Sequence, residues 1–271
     1  LAEIHHGSDE FLRRDDIGGD HRLDDLLDLA VREFARIGDV VFAAILGGQK
    51  IVCEGVHGTI NFQNGLAYSC NNVFGEIAAE LGGKTLQKYA EKAGLSGSLS
   101  CDGYHTAAGR VDLRGAGDGD VAWAGIGQYT DQVSAYAFMR FMGVIAGGGE
   151  AAEPYLMASI QKGEKTTYTA GRTSTGRVLE ADTAKTLASM MRYDVEQVYG
   201  AWQFGSLNVC AKSGTAELEG QTANAMFAGF VQDDACPLAF VVFVENGGSG
   251  SAVAAPIAAK VLSVCAAELQ K

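Results

Sequence analysis

Two short strings in this chain carry the residue types that acyl-transfer chemistry uses. Ser69-Cys70-Asn71 places a hydroxyl and an amide in one turn. The hydroxyl can relay a proton, and the amide can hold a substrate carbonyl or order a neighbouring ammonium group. Lys212-Ser213-Gly214-Thr215 sets a positive charge beside two hydroxyls, which suits a carboxylate. Its glycine lets a ligand backbone approach a strand edge that a side chain would obstruct. Each string also has an ordinary reading, as a helix N-cap and as a solvated lysine in a turn. One arrangement that could activate a nucleophile is a serine with a lysine three residues later, sharing one face of a helix. The one literal S-x-x-K is Ser159-Ile160-Gln161-Lys162, in a segment that reads as strand, and in Gly47-Gly48-Gln49-Lys50 a glycine stands where the serine would be needed.

The elements that must position these strings follow from hydrophobic periodicity. Three- and four-residue spacing predicts helices over 22–37, from Ser69-Cys70-Asn71 to the Gly82-Gly83 stop, over 84–93, 131–146, 181–198 and 252–269. The last carries Val253, Ile257, Ala258, Val261, Leu262 and Cys265 on one stripe. Val40–Leu46 reads as a buried strand, and 155–160 and 166–169 as strands about a turn at Gly163. Leu207–Cys210, Ala225–Val231 and Ala239–Glu245 read as consecutive antiparallel strands, with the Lys212 string at the end of the first. Residues 53–64 and 94–120 read as turns and loop.

Composition bounds the rest. The 271 residues are 47% hydrophobic with 36 glycines and only three prolines, and mean hydropathy is +0.05, which describes one large packed α/β-type domain. With 33 acidic against 21 basic residues and a net charge of -12, neither nucleic acid nor an anionic membrane is an expected partner. No stretch reaches about 18 consecutive apolar residues, so no membrane span is expected. His5-His6-Gly7-Ser8 reads as a tag remnant or natural sequence, leaving 9–271 as the domain. The histidines at 5, 6, 21, 57 and 105 lack ligand spacing and the six cysteines form no C-x-x-C, so neither metal nor cofactor is expected. Cys53 and Cys101 adjoin glycine-rich loops and are read either as bridging candidates or as free thiols.

In order, the two strings match the later two of the three motifs of penicillin-binding proteins and serine β-lactamases. Several further blocks sit in the same order. They are His57-Gly58-Thr59, Gly65 to Phe74, Gly125-Ile126-Gly127-Gln128, Ile145-Ala146-Gly147-Gly148, Lys212 to Glu217, Phe227-Ala228-Gly229-Phe230, Val244 to Gly248 and Ala255-Pro256-Ile257. Over about residues 50–271 the chain resembles class B penicillin-binding transpeptidases. The resemblance implies an α+β fold in which an antiparallel sheet is flanked by helices beside an all-helical subdomain. It also implies a peptidoglycan D,D-transpeptidase whose acyl-enzyme forms on D-Ala-D-Ala stem peptides or on β-lactams. By that resemblance Ser69, Asn71 and Lys212 are catalytic, with Ser69 and Asn71 serving proton transfer and substrate contact. Lys212, Ser213 and Thr215 would hold the carboxylate, the strand residues after Gly214 would pair with the peptide backbone, and the same strand would supply an oxyanion-hole amide. It further implies an extracytoplasmic domain held by a membrane anchor outside this chain, with cell-wall synthesis partners. The first motif, which supplies the nucleophile, is not found. A non-catalytic binding or sensor module on the same fold is therefore the alternative, and a serine β-lactamase is another.

Overall fold

The computed structural model describes residues 37–40 and 43–269. Residues 1–8 and the helix expected over 22–37 lie outside them, apart from Ile37. The chain opens with β1 (Ile37–Val40), β2 (Ala43–Leu46), β3 (Gln49–Val52) and β4 (Gly58–Ile60). β2 and β3 form a hairpin through the Gly47-Gly48 turn, and β1 pairs with β4. The single strand expected at 40–46 is thus two strands. There follow α1 (Phe62–Ala67), α2 (Asn71–Leu81), α3 (Gly83–Lys92), the short hairpin β5 (Ser100–Cys101) and β6 (Tyr104–His105), and α4 (Asp118–Gly125). β4, α1 and α4 fall in segments that read as turn or loop. A three-residue strand and helices of six and eight residues are too short for periodicity to identify. The Gly-Asp-Gly-Asp string that resembles a linker is the start of α4, with Asp118 and Asp120 in its first turn, where the helix dipole favours negative charge.

α5 (Ala135–Ala146) begins at a Ser134 cap whose hydroxyl accepts from the Ala137 amide, four residues later than expected. The hairpin β7 (Ser159–Lys162) and β8 (Lys165–Thr169) precedes α6 (Ala181–Asp194), which widens into a π turn at Val195–Tyr199 and a 3-10 turn at Ala201–Phe204. Then come β9 (Val209–Ala216), β10 (Asn224–Val231), β11 (Ala239–Val244), a π turn at Gly250–Ala254, and α7 (Ala255–Leu269). The expected α+β architecture is present, with this antiparallel sheet flanked by helices.

The last three strands form an antiparallel sheet in the order β11-β10-β9, so β9 is an edge. Side chains alternate across a strand, and here both faces are covered. On one face Val209, Ala211, Ala225 and Phe227 pack with Ala255, Ala258 and Leu262 of α7. On the other, Cys210, Ala228 and Phe230 meet Met142 and Ile145 of α5 and Ala184, Ala188 and Met191 of α6. Phe227 and Phe230 are fully buried on opposite faces of β10, each stabilising by about 1.5–3 kcal/mol.

The packed stripe of α7 differs from the expected one. Ala255, Ala258, Ala259, Leu262 and Ala266 are buried, while Ile257, Val261 and Val264 face outward. Small alanines let a helix lie close on a sheet, and branched side chains would hold it away. Because apolar residues occupy both faces of this helix, periodicity alone chose the wrong one. Residues 250–269 also form a helical run long and apolar enough to cross a membrane, contrary to expectation, although its alanine face lies against the sheet.

The close approach is tightest at Gly250. An added Cβ there would stand 2.3 Å from the Gly214 carbonyl oxygen and 2.4 Å from that of Met226. Both obstacles are strand backbone. Gly250→Ala is expected to destabilise by about 3 kcal/mol, near the upper end for overpacking, lowering the melting temperature by roughly 5–10 °C. Gly171→Ala, with no atom within 4 Å of the added carbon, is the control and should melt with the parent.

Candidate active site

The Ser69 hydroxyl owes its position to the way α1 ends. The Ser69 amide donates to the Leu66 carbonyl (3.0 Å) and the Cys70 amide to that of Gly65 (2.9 Å). This is a Schellman cap, whose turn residue adopts a left-handed backbone and is usually glycine. Ser69 takes that place with φ +51°. Cys70 is then at once the residue that closes α1 and the N-cap of α2. The result is an exposed serine between two helices, at a backbone conformation costing on the order of 1 kcal/mol. Asn71 opens α2 and donates from Nδ2 to the Val52 carbonyl at 2.8 Å. One of its two amide protons therefore fixes this turn to the end of β3.

Lys212-Ser213-Gly214-Thr215 lies inside β9, which continues to Ala216; the run expected to stop at Cys210 was read too short. Across the sheet, Lys212 faces Ala228, Ser213 faces Phe227, Gly214 faces Met226 and Thr215 faces Ala225. Lys212 Nζ donates to three oxygens: the Ser69 hydroxyl, the Tyr199 hydroxyl at 3.2 Å and the Ser213 carbonyl at 3.1 Å. An ammonium has three N–H donors, so all are engaged. The structure thus brings Ser69 and Lys212 together across 143 residues. Thr215 Oγ1 accepts from the Gly250 amide at 3.2 Å, which ties the strand to the start of the 250–254 turn.

Tyr199 is the residue that sequence reasoning missed. Its hydroxyl accepts from Lys212 Nζ and from the Ser213 amide, and it lies 3.0 Å from Ser213 Oγ. With both lone pairs taken, it must donate its own proton to Ser213 Oγ. That leaves the Ser213 hydroxyl proton free for a ligand. Ser69 Oγ, accepting from Lys212, likewise keeps its own proton to give. The π turn at 195–199, an irregularity frequent at functional sites, brings Tyr199 here. An edge-on contact with the Phe227 ring at 5.2 Å and 83° holds it. In the sequence it is one aromatic among several, and no spacing marks it.

Asp194, at the end of α6, is fully buried, and neither carboxylate oxygen has a hydrogen-bond partner. Burial pushes its carboxyl up to about 7, with the Lys212 charge partly opposing the shift.

Three further side chains that no linear spacing linked converge behind the serine turn. Cys53 Sγ is 3.9 Å from Cys70 Sγ and 3.7 Å from His57 Nδ1. Burial, with Cys53 alongside, pushes the Cys70 thiol up to about 11, against the Val73 and Asn72 amides that donate to it. All six cysteines are free thiols, and Cys101 donates to the Pro154 carbonyl at 3.4 Å. Ser159–Lys162 is β7, exposed throughout, so its serine and lysine do not share a helical face.

The family model for the penicillin binding protein transpeptidase domain matches residues 43–263. The chain belongs to the penicillin-binding protein transpeptidase-domain family. It is similar to the peptidoglycan D,D-transpeptidase PbpA of Mycolicibacterium smegmatis, with 28% identity over 220 residues, which cover 73% of this chain and 42% of that relative. The same fold occurs in the D,D-transpeptidase domain of a peptidoglycan glycosyltransferase from Eggerthella lenta. That match has TM-score 0.77 and 19% identity, covering 90% of this chain and 64% of that one. It occurs also in penicillin-binding protein A from M. tuberculosis as its imipenem acyl-enzyme complex, with TM-score 0.78 and 23% identity, covering 90% and 57%. The chain spans less than half the length of its curated relative. It is a class B transpeptidase domain, as the motif blocks implied.

Two outcomes follow for the site. Ser69→Gly and Ser69→Ala both lose the hydroxyl, but only glycine relieves the left-handed backbone. Ser69→Gly should therefore be the more stable of the two by about 1 kcal/mol in chemical denaturation, and equal stabilities would show that the turn is unstrained. For Asp194 the folded-state value lies above the ordinary 3.8. Between about pH 4 and pH 7 the unfolded chain gives up a proton that the folded chain retains, so stability falls as pH rises and levels off above 7. Asp194→Asn should raise the melting temperature at pH 8, by at most about 4 kcal/mol in stability, and change it little at pH 4.

Proposed function

We propose that this chain is a D,D-transpeptidase-type domain that takes the D-Ala-D-Ala end of a peptidoglycan stem peptide, and β-lactams, in the groove between the Ser69 turn and β9. The observation that carries the reading is the contact of Lys212 with Ser69, which unites the two motif strings at the edge of a sheet. The roles follow from the hydrogen-bond directions. Lys212 supplies the positive charge for a ligand carboxylate, and the Ser213 and Thr215 hydroxyls lie along the same strand to receive it. Ser69 passes a proton between the reacting centre and the lysine side. Asn71 has a second amide proton and its carbonyl for the substrate amide. On the free edge of β9 the residues after Gly214 can pair with an extended peptide, and an outward backbone amide there would stabilise an oxyanion. Tyr199 positions Lys212 and Ser213. The reading also implies action on the extracytoplasmic side, where stem peptides are, alongside cell-wall synthesis partners.

Acylation requires a nucleophilic serine with a base beside it. Among the described residues the S-x-x-K string lies on an exposed strand and Gly47 sits in the β2–β3 turn, an observation that favours a second reading in which the same groove binds these ligands without acylating. A fluorescent penicillin separates the two. A label that survives denaturation, with the modified serine located by peptide mass, establishes acyl transfer, and slow rather than rapid nitrocefin hydrolysis then separates a transpeptidase from a β-lactamase. Reversible anisotropy with no covalent label establishes the binding module. In either case Lys212→Ala should weaken binding at least tenfold, the loss of a charge-assisted contact worth about 1.5–3 kcal/mol, and Tyr199→Phe should weaken it less. The absence of both a covalent label and saturable binding would overturn both readings.

A further inference from the structure

The side chains that converge behind the serine turn have no part in the ligand chemistry above, yet they have the composition and shape of a metal site. Cys53 follows β3, His57 precedes β4, and Cys70 is the middle residue of the Ser69-Cys70-Asn71 string. Cys53 and Cys70 are 1% and 0% exposed. The two sulfurs and a ring nitrogen of His57 all lie within 4.8 Å of one another. Zinc bound tetrahedrally at ≈ 2.3 Å to sulfur and ≈ 2.0–2.1 Å to nitrogen sets two sulfurs roughly 3.8 Å apart and a sulfur and nitrogen roughly 3.6 Å apart. The measured edges are 3.9 Å for the sulfurs and 3.7 Å from Cys53 Sγ to His57 Nδ1. These two edges match such a tetrahedron, and the third side of the triangle, from Cys70 to His57, closes within 4.8 Å.

We propose that Cys53, His57 and Cys70 bind one divalent transition-metal ion, zinc being the best match to two thiolates and an imidazole. The expectation that no metal binds rested on linear spacing, and Cys53-x3-His57-x12-Cys70 resembles no familiar finger. The turn between α1 and α2 is what returns Cys70 to the other two. On binding, each thiol releases one proton to solvent and no electron moves. The three side chains leave the fourth position to water.

The ion is structural in effect. It ties the end of β3, the loop before β4 and the N-cap of α2 at a single point, reinforcing the tie that the Asn71 amide makes to Val52. Since Ser69 and Asn71 flank Cys70, the metal holds the serine turn in the geometry that meets Lys212. The site itself stands on these three side chains alone, so its test does not depend on the function proposed above.

The test is metal content and cobalt spectroscopy on the whole chain with His5 and His6 replaced by alanine, which removes an alternative histidine pair. The expected result is about one zinc per chain by elemental analysis. Chelation should lower the melting temperature, with recovery on adding zinc but not magnesium. Cobalt added to the stripped protein should give thiolate-to-cobalt charge-transfer absorption that zinc abolishes. Cys53→Ser and His57→Ala should each lose most of the metal, and Cys236→Ser should keep it. Where a variant fails to fold, the cobalt titration of the parent decides. Stripped protein that gives no thiolate–cobalt band, or an isolated protein two mass units light with Cys53 and Cys70 joined as a disulfide and no metal, would overturn the proposal.

Discussion

The hydrogen bond from Lys212 to the Ser69 hydroxyl joins a turn between two helices to the edge of a sheet, and most of the site's geometry follows from the valence of the lysine. An ammonium must place three donors. Here they go to Ser69, Tyr199 and the Ser213 carbonyl, so the side chain is held in one position despite its four-carbon stem. That arrangement in turn fixes the direction of every hydroxyl around it. Tyr199 becomes an acceptor twice over and must donate to Ser213, while Ser69 and Ser213 are left as donors. A cationic centre surrounded by outward-pointing hydroxyl protons is selective for anions and for carbonyl oxygens gaining negative charge.

This arrangement depends on a sheet buried on both faces. β10 is covered by α7 on one side and by α5 and α6 on the other, so its two phenylalanines lie in different cores. Phe227 orients the Tyr199 ring from below, and through it the core reaches the lysine. β9 remains an edge because the sheet ends there. The alanine face of α7 and Gly250 let the C-terminal helix approach closely enough that the Gly250 amide binds Thr215. The smallest residues therefore sit where backbone must meet backbone, while Ile257, Val261 and Val264 of the same helix are turned outward and Leu262 alone of its large apolar side chains fills the contact.

Much of this was legible in the sequence, and what was not has physical causes. The helix at 71–81 was readable because its apolar positions repeat at helical spacing up to a Gly-Gly stop. The strands at 224–231 and 239–244 were readable as β-rich runs separated by turn residues. Both motif strings were found, and the structure unites them. β4, α1 and α4 were missed because elements of three, six and eight residues hold too few apolar positions to show a period. The buried stripe of α7 was misread because alanine carries little weight in such a pattern even where it makes the contact. Tyr199 and the Cys53, His57 and Cys70 group could not have been found, since their meaning lies in pairings made through space.

Recognition and bond-making draw on different elements of such a domain, and this separates the two readings of its function. Recognition needs a strand edge with charge and hydroxyls beside it, and a turn that presents a serine and an amide. β9 and the junction of α1 and α2 supply both, each fixed by local constraints: sheet register in one case, a helix cap in the other. Bond-making needs a second serine and lysine on one helical face, directed into the same groove. The side-chain hydrogen bonds that join Lys212, Ser213 and Tyr199 run among these residues and to Ser69, with the β9–β10 ladder beneath them, and do not pass through such a helix. On the proposed reading, carboxylate recognition by this groove is therefore independent of the element that supplies the nucleophile. Asp194 is fully buried without a hydrogen-bond partner, and the Lys212 charge partly opposes the upward shift that burial gives its carboxyl.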